Sequence, residues 1–360
     1  MTQRIAIVGG GYFGAELARS LDAKAEVTLI EPRTHFVHAP AMIRAVVDPA
    51  LLDRALIPYD ALLTRGHVVR ARAASVDAAG VTLEDGSRIA ATQVVVATGS
   101  GNATPFKPDG DDIDAFRAQN ARVHAQLVAA ERIAIVGAGA VGVELAGEIA
   151  HAMPGKRITL ISAESRLFPD KPAAFGAALA AKLEKAGVQQ IQGQRVETLE
   201  SLTTPHAGSL RLADGTVQAY DLIFPVLGAR PVADLLLGLP DAAPGSGGRV
   251  KVDPWLRPSS LPNVFAAGDA ADAGDAMTIV ATSRQRPWLT KTLLGLGQGK
   301  ALEQMKPYKP WGAKAPFLVP LGPKRGKSFL GFVSVGDLLT RAMKGKDLFI
   351  GKYRALLGQG

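Results

Sequence analysis

The chain opens with an apolar run, a glycine-rich turn, a helical stretch and a second apolar run. The run Arg4-Ile-Ala-Ile-Val8 has the length and the β-branched content of a buried strand, and Gly9-Gly-Gly11-Tyr-Phe-Gly14 follows at once. A helical pattern then covers residues 15 to about 23, and residues 27–30 have the composition of a second strand. This order predicts a βαβ unit in which the glycine-rich turn joins the first strand to the helix.

The same pattern returns in the middle of the chain. Arg132-Ile-Ala-Ile-Val136 and Gly137-Ala-Gly139-Ala-Val-Gly142 repeat the opening almost letter for letter. A helix over 143 to about 152, a strand over 157–161 and a later strand over 221–226, which ends near Gly228, follow the repeated turn. The repeat predicts a second βαβ unit.

Other segments connect the two units. Three short alternating runs between about 67 and 91, broken at Ala79-Gly80 and Asp85-Gly86, predict a small antiparallel meander. Residues 94–97 and 263–267 predict buried strands that end in Thr98-Gly99 and in Gly268-Asp269. The Gly, Pro and Asp-rich residues 101–112 and the Gly/Pro-rich residues 240–248 are interpreted as the passages into and out of the second unit.

Both glycine motifs have the spacing of a turn that binds a dinucleotide. Their glycines let backbone N–H groups approach a pyrophosphate, whose negative charge the helix N-terminus favours. Glu31 ends the second strand of the first unit, where a carboxylate can accept hydrogen bonds from an adenosine ribose. The equivalent position of the second unit is Ser162, and with Arg166 and Glu164 nearby both NADH and NADPH remain open.

Composition narrows the chemistry. The 360 residues contain no cysteine, which excludes a disulfide relay, a thiolate metal site and a cysteine nucleophile. The six histidines do not form a ligand cluster, so no metal site is predicted. The longest apolar runs are strand-sized, and Thr2 stands where N-myristoylation requires a glycine, so we expect a cytoplasmic protein.

The net charge of +8 lies entirely in the last sixth of the chain. Residues 301–360 contain 11 Lys/Arg and three Asp/Glu, whereas the rest of the chain is balanced. Such an excess predicts an anionic partner, and a peripheral membrane surface is the first expectation. The tail lacks the interleaved aromatic and basic residues of nucleic-acid platforms, which argues against nucleic acid.

Taken together, the two dinucleotide units, Ala97-Thr98-Gly99 and Ala267-Gly268-Asp269 resemble the two-dinucleotide-binding-domain flavoproteins. The resemblance implies that the first unit binds FAD, that the second binds NAD(P)H, and that Asp269 contacts the ribityl chain of FAD. It implies an α/β fold of two Rossmann-like domains and a small C-terminal domain. The expected divisions are an FAD domain of residues 1–112 and 250–300, an NAD(P)H domain of 113–249 and a C-terminal domain of 301–360.

The chain further resembles the apoptosis-inducing-factor homologues, especially their ferroptosis-suppressor branch of NAD(P)H:quinone oxidoreductases. The stretches that carry this likeness are Gly139-Ala-Val-Gly-Val-Glu144, Tyr308-Lys-Pro310 and Lys344-Gly-Lys-Asp347-Leu-Phe349. The resemblance implies that Glu144 lies near the nicotinamide and that Lys344 and Phe349 lie near the flavin or the quinone. The segment Arg284-Gln-Arg286-Pro-Trp288 departs from the family pattern beside the flavin.

Several alternatives stay open at this stage. Glu144 could be a helix-surface carboxylate and Phe349 an ordinary packing residue, and His35 and His38 could be either packing residues or a general acid. An amphipathic helix over residues 335–343 could pack on the body or lie on a bilayer. The acceptor could be oxygen or a ferredoxin-type carrier, and the protein could instead be an NADH-responsive binding protein with a basic tail.

Overall fold

The computed structural model describes residues 3–360 and has an α/β fold, as the sequence predicts. The strands in chain order are β1 (Arg4–Val8), β2 (Glu26–Ile30), β3 (His35–Val37), β4 (Leu56–Pro58), β5 (His67–Val69), β6 (Ala73–Asp77), β7 (Gly80–Leu83), β8 (Arg88–Ala90), β9 (Gln93–Val96), β10 (Ser100–Gly101), β11 (Arg132–Val136), β12 (Arg157–Ile161), β13 (Val188–Ile191), β14 (His206–Arg211), β15 (Val217–Pro225), β16 (Arg230–Pro231), β17 (Val250–Lys251), β18 (Val264–Ala266), β19 (Ala271–Asp272), β20 (Phe317–Leu321), β21 (Arg325–Phe329) and β22 (Ser334–Val335). The α-helices are α1 (Tyr12–Leu21), α2 (Ala39–Ala45), α3 (Leu52–Ala55), α4 (Ile113–Ala129), α5 (Ala140–Ala152), α6 (Ala173–Lys185), α7 (Asp234–Leu237), α8 (Ile279–Gly297), α9 (Asp337–Thr340) and α10 (Ile350–Leu356).

The first sheet is parallel and has the order β18-β9-β1-β2-β5. Ile5 pairs with Val27 on one side and with Gln93 on the other. Because β18 joins this sheet, the chain returns to the first unit after the second is complete. From Ile5 onward the side chains of β1 are apolar and buried, because α1 and α8 cover one face of the sheet and the strands β6 and β7 cover the other.

The second sheet repeats this arrangement in the order β13-β12-β11-β15-β14, with β14 antiparallel to β15. Ile133 pairs with Ile158 and with Leu222, as Ile5 pairs with strands on both of its sides. The predicted strand at 221–226 is the carboxyl-terminal half of a longer strand, β15, because β14 pairs with its first half.

Both glycine-opened helices begin three residues earlier than predicted. α1 begins at Tyr12 rather than at 15, and α5 begins at Ala140 rather than at 143. The third glycine of each motif therefore lies inside the first helical turn and not in the loop before it. Its role, described below, is to let the helix approach the strand.

The meander also differs in extent from the prediction. The turns at Ala79-Gly80 and Asp85-Gly86 connect β6, β7 and β8 as expected. The start of the first run, residues 67–69, instead forms β5 and extends the first sheet as a parallel edge strand, while the rest of that run forms β6. The apolar alternation of residues 67–69 is compatible with the parallel sheet and with the meander, and backbone pairing with β2 puts them in the parallel sheet.

The C-terminal residues contact both units. β20, β21 and β22 form an antiparallel sheet whose Val319 and Phe329 join the core of the second unit. In contrast, Tyr353 of α10 is fully buried in the core of the first unit. The predicted helix over 335–343 is broken up: α9 has four residues and a π-helical turn, Arg341–Gly345, follows it.

Candidate active site

A large cavity of about 1460 Å³ lies between the two units. Both glycine-rich turns, the ends of β2, β9 and β12 and the C-terminal segment contribute to its walls. The candidate site residues from the sequence that line the cavity are Gly9, Gly11, Glu31, His35, Thr98, Gly99, Gly137, Gly139, Glu144, Ser162, Glu164, Arg166, Gly228, Gly268, Asp269 and Lys344. The fold thus brings residues more than 300 positions apart to one space.

The first glycine-rich turn is shaped by contacts that only glycine permits. Gly9 has a φ of 102°, and a Cβ built on it lies 2.4 Å from the carbonyl oxygen of Ala97. A Cβ on Gly14 lies 1.8 Å from the oxygen of Gly9, so α1 packs directly on the turn. A Cβ on Gly11 meets nothing within 4 Å and points to open cavity space.

The three glycines of the second turn have the same surroundings as those of the first. Gly137 has a φ of 114°, and its Cβ lies 2.0 Å from the carbonyl oxygen of Val226. A Cβ on Gly142 lies 1.9 Å from the oxygen of Gly137, and a Cβ on Gly139 meets nothing. Each turn therefore presents a bare backbone at a helix N-terminus, which suits a pyrophosphate. Gly14 and Gly142 shape the turns without lining the cavity.

Glu31 is held at the cavity wall by its own turn. Its Oε2 accepts a hydrogen bond from Gly10 N at 2.7 Å, and its Oε1 accepts one from Arg33 N at 3.1 Å. A carboxylate has about four acceptor positions, so it keeps capacity for a pair of ribose hydroxyls. Ser162, the equivalent in the second unit, is buried, and its Oγ accepts from Glu164 N at 3.1 Å.

Asp269 lies at the end of β18 within a polar network that the sequence analysis did not anticipate. Ser100 Oγ donates to Asp269 Oδ2 at 2.6 Å, and Lys107 Nζ donates to Ser100 O at 2.6 Å. Burial lowers the pKa of Lys107, and the charge of Asp269 opposes that effect. Gly268 N donates to Gln285 Oε1 at 2.8 Å, which fixes the turn before Asp269.

The segment 284–288, which departs from the family pattern, supports the turn before Asp269. Gln285 is buried and links Gly268 to Asp275, whose Oδ2 accepts from Gln285 Nε2 at 2.9 Å. Arg286 pairs with Glu16 at 3.0 Å. Gln285 lies in a segment that the sequence marks only as a departure from the family pattern, and Lys107 stands in no motif, so the sequence indicates no role for either residue.

A short strand pair ties the two units together at the cavity edge. β10 follows Gly99 and pairs with β16, which follows Gly228. Thr98 Oγ1 donates to Val232 O at 2.5 Å, and Val232 N donates to Gly99 O at 2.9 Å. Gly99 and Gly228 have φ values of 73° and 97°, which glycine adopts without strain.

Glu144 and Lys344 form an ion pair in the cavity wall. Lys344 Nζ lies 2.6 Å from Glu144 Oε1 and also donates to Leu318 O at 3.3 Å. The side chains of Lys344 and Glu144 are only 12% and 4% exposed, respectively, and burial raises the pKa of Glu144 while the ammonium opposes that effect. The helix-surface alternative for Glu144 is therefore wrong for this fold.

A second buried ion pair supports the first. Arg44 on α2 pairs through two nitrogens with Glu148, one turn after Glu144 on α5, at 2.9–3.0 Å. Arg44 Nη2 also donates to Gly345 O at 2.9 Å, next to Lys344. Residues of α2, α5 and the π-helical turn 341–345 thus meet here, although they are far apart in the sequence.

Phe349 does not line the cavity. It is half-buried against the core of the first unit and has a φ of 67°. His38 is fully buried: its Nε2 donates to Leu348 O at 2.6 Å, its Nδ1 accepts from the Tyr12 hydroxyl, and burial lowers its pKa to about 4. This is the packing alternative for His38, whereas His35 lies in the cavity wall.

Among residues 3–360 no group of three or more His, Asp or Glu side chains is arranged to hold a metal ion. No helix within this range is both long and apolar enough to span a bilayer.

Comparisons with known proteins show the family to which the chain belongs. The family model described as pyridine nucleotide-disulphide oxidoreductase matches residues 59–286, and a related model of the same description matches residues 4–55. The apoptosis-inducing factor homolog B of Dictyostelium discoideum is 28% identical over 98% of this chain and 96% of its own. Ferroptosis suppressor protein 1 of Taeniopygia guttata is 28% identical over 99% of this chain and 96% of its own.

A solved structure shares the fold. Reduced Bacillus anthracis CoADR-RHD superposes with a TM-score of 0.72 at 17% identity and covers 91% of this chain. The chain spans 61% of that longer protein. The chain belongs to the pyridine nucleotide-disulphide oxidoreductase family.

Proposed function

We propose that the protein is an NAD(P)H:quinone oxidoreductase, which converts NAD(P)H, a proton and a quinone to NAD(P)⁺ and a quinol. The observation that carries the proposal is the cavity that both glycine-rich turns share with the Glu144–Lys344 pair. In one cavity a hydride donor and an acceptor meet directly. Because the chain contains no cysteine, it cannot pass electrons from the flavin through a disulfide of its own.

Each unit has its own cofactor in this proposal. The unit of residues 1–112 and 250–300 holds FAD through the first glycine turn, Glu31 and Asp269, and the unit of 113–249 holds NAD(P)H through the second turn, Ser162 and Gly228. The sheet order supports this division because β18 pairs with β9 of the first unit. Bound FAD supplies the hydride acceptor and the electron donor to the quinone.

Lys344 is proposed to bind the acceptor. Its ammonium has three N–H donors, and Glu144 and Leu318 accept from two of them. The remaining N–H can donate to a quinone oxygen, whose negative charge grows as electrons arrive. Glu144 holds Nζ in place, and the Arg44–Glu148 pair fixes the adjacent turn through Gly345 O.

The experiment compares acceptors and two lysine variants. NADH and NADPH oxidation is followed with a short-chain quinone, ferricyanide, a ferredoxin and oxygen. Lys344→Met is expected to lower kcat/KM for the quinone about 10- to 100-fold, the loss typical of a hydrogen bond to a charged group. Lys346→Met, which removes a neighbouring exposed charge, is the control and should have no effect.

The proposal fails if quinone turnover is slower than oxygen or ferredoxin turnover, or if Lys344→Met leaves the quinone reaction unchanged. Ferricyanide accepts electrons at the surface, so its rate separates loss of acceptor binding from loss of flavin reduction. Glu144→Ala should retain FAD but slow flavin reduction by NAD(P)H in stopped-flow measurements.

A further inference from the structure

Four large apolar side chains near the C-terminus are exposed. Phe332 is 79% exposed, Val333 59%, Leu338 78% and Leu339 51%, all within eight residues. They lie on the β21–β22 turn and on α9, two elements that border the same small sheet. We name these four residues the apolar tip.

The contacts of α9 force its two leucines outward. Asp337 Oδ1 accepts hydrogen bonds from Gly326 N and Lys182 Nζ, each at 2.8 Å. Thr340 is fully buried, and its hydroxyl lies 2.8 Å from Ser328 Oγ. Residues three apart lie on one helix face, so Asp337 and Thr340 hold the inner face and the leucines between them point to solvent. The sequence alternative in which the apolar face packs on the body does not hold here.

Exposed basic residues accompany the tip. None of the five basic residues named below forms a salt bridge within residues 3–360. One of them, Lys314, has its Nζ 4.9 Å from the ring centroid of Phe332. Asp337, the acidic residue of α9, is engaged by Lys182. The exposed basic residues of this region are Lys314, Lys324, Arg325, Arg341 and Lys346. Protruding apolar side chains and unpaired cations in one segment match an anionic lipid surface, where the Phe332 ring, Val333 and the leucines enter the acyl boundary and the cations meet headgroups.

We propose that the apolar tip inserts into anionic membranes and docks the enzyme there peripherally. The same segment reaches the cavity, since Phe317 at the start of β20 and Lys344 in the π-helical turn both line it. Docking through the tip therefore brings the acceptor side of the cavity close to a lipid-soluble substrate. This last step rests on the proposed quinone reductase function, whereas the docking itself does not.

Co-sedimentation with vesicles tests the docking. The full-length, FAD-loaded protein is mixed with phosphatidylcholine vesicles, with or without 30% phosphatidylserine as roughly the charge of an anionic leaflet, at low and high salt. Phe332→Asp/Leu338→Asp should weaken binding to anionic vesicles at least about tenfold. The control Leu202→Asp/Val217→Asp adds the same charges at apolar positions of the second unit that are 57% and 54% exposed, and should bind as the wild type does.

The wild type and the tip variant give distinct outcomes. Wild-type protein that ignores anionic vesicles at low salt, or a tip variant that binds them as well as the control, overturns the proposal. Loss of a concentration-dependent dimer in the tip variant, without vesicle binding by the wild type, assigns the tip to self-association instead. FAD content and circular dichroism verify that each variant is folded.

A second readout separates docking from substrate. With a long-chain quinone in the vesicles, the tip variant should turn over about tenfold more slowly than the control and equally fast with a soluble short-chain quinone. If no quinone is reduced in either form while wild-type binding persists, the proposed function fails and the docking stands. If short-chain quinone is reduced but vesicles are not bound, only the docking fails.

Discussion

Alanine substitution in the two glycine turns tests which unit binds which nucleotide. Gly11 and Gly139 have φ values near −65° and −71°, which alanine adopts, and a Cβ on either meets no protein atom within 4 Å. Both variants should therefore fold. The added methyl group occupies the cavity where the backbone faces a pyrophosphate.

The magnitude follows from crowding at that contact. Overpacking by one methyl group costs typically about 1–3 kcal/mol, which corresponds to roughly a 5- to 150-fold increase in Kd. Gly11→Ala is expected to weaken FAD binding by this factor and to purify with less flavin. Gly139→Ala should keep its FAD and show the increase in the Kd for NAD(P)H.

The third glycines are the matched comparison for stability. In Gly14→Ala and Gly142→Ala the new Cβ lies 1.8 or 1.9 Å from a backbone oxygen, which cannot rotate away. We expect a loss of about 3 kcal/mol, or roughly 4 °C in Tm for a 360-residue chain that unfolds in one transition.

Calorimetric titration of the apo-protein with FAD, titration of the holo-protein with NADH, and thermal unfolding by circular dichroism measure these effects. If Gly139→Ala loses FAD while Gly11→Ala retains it, the assignment of the units is reversed. If Gly14→Ala unfolds at the wild-type temperature, the close strand–helix contact is not what the glycine provides.

Three further predictions concern polar groups. Partial burial raises the pKa of Asp22, but hydrogen bonds from residues 64–66 have the larger, opposite effect and bring it down to about 2. The stabilisation of the folded state by these hydrogen bonds is therefore fully present above 3.8, the ordinary pKa of an aspartate, and is lost as pH falls through about 2. Asp22→Asn should therefore lower Tm at pH 7 by an amount that shrinks as pH falls from 4 to 2, and an equal difference at all pH values would contradict this. Arg44→Ala should cost about 3–5 kcal/mol in denaturant unfolding because it leaves Glu148 unpaired, whereas Arg44→Met/Glu148→Leu should recover most of the loss; a double variant no more stable than the single would count against the account. Asp269→Ala should lose FAD, and Ser100→Ala should weaken FAD binding to a smaller extent, as judged by flavin absorbance. Retention of full FAD by Asp269→Ala would refute the assignment of Asp269 to FAD binding.

Much of the fold could be predicted from the sequence because its signals are local. The two β-rich runs, the glycine spacing and the hairpin dipeptides each predict the local structure of a few adjacent residues. Because the same pattern occurs twice, the prediction for each unit supports the prediction for the other. The helix starts at 12 and 140 were missed because the third glycine looks like a loop residue until the strand behind it is known. Residue 67 was misplaced because a short apolar run does not specify which sheet it joins.

The site was predictable only where a motif carried it. The glycines, Glu31 and Asp269 stand at fixed offsets from strand ends, so pattern alone places them at the cavity. Gln285 and Lys107 could not be found this way, because their roles depend on side chains that meet across long sequence separations. Phe349 was expected at the site from resemblance, and the fold directs it to the core instead.

The last sixty residues have a consequence for how the molecule comes apart. Val319 belongs to the core of the second unit and Tyr353 to that of the first, while β10 and β16 pair across the cavity edge. A chain segment that is buried in both halves makes each half depend on the other for part of its interior. The two nucleotide units should consequently melt in one cooperative transition, and cutting the chain before Val335 removes Tyr353 from the core of the first unit and Lys344 from the cavity wall rather than a detachable appendage.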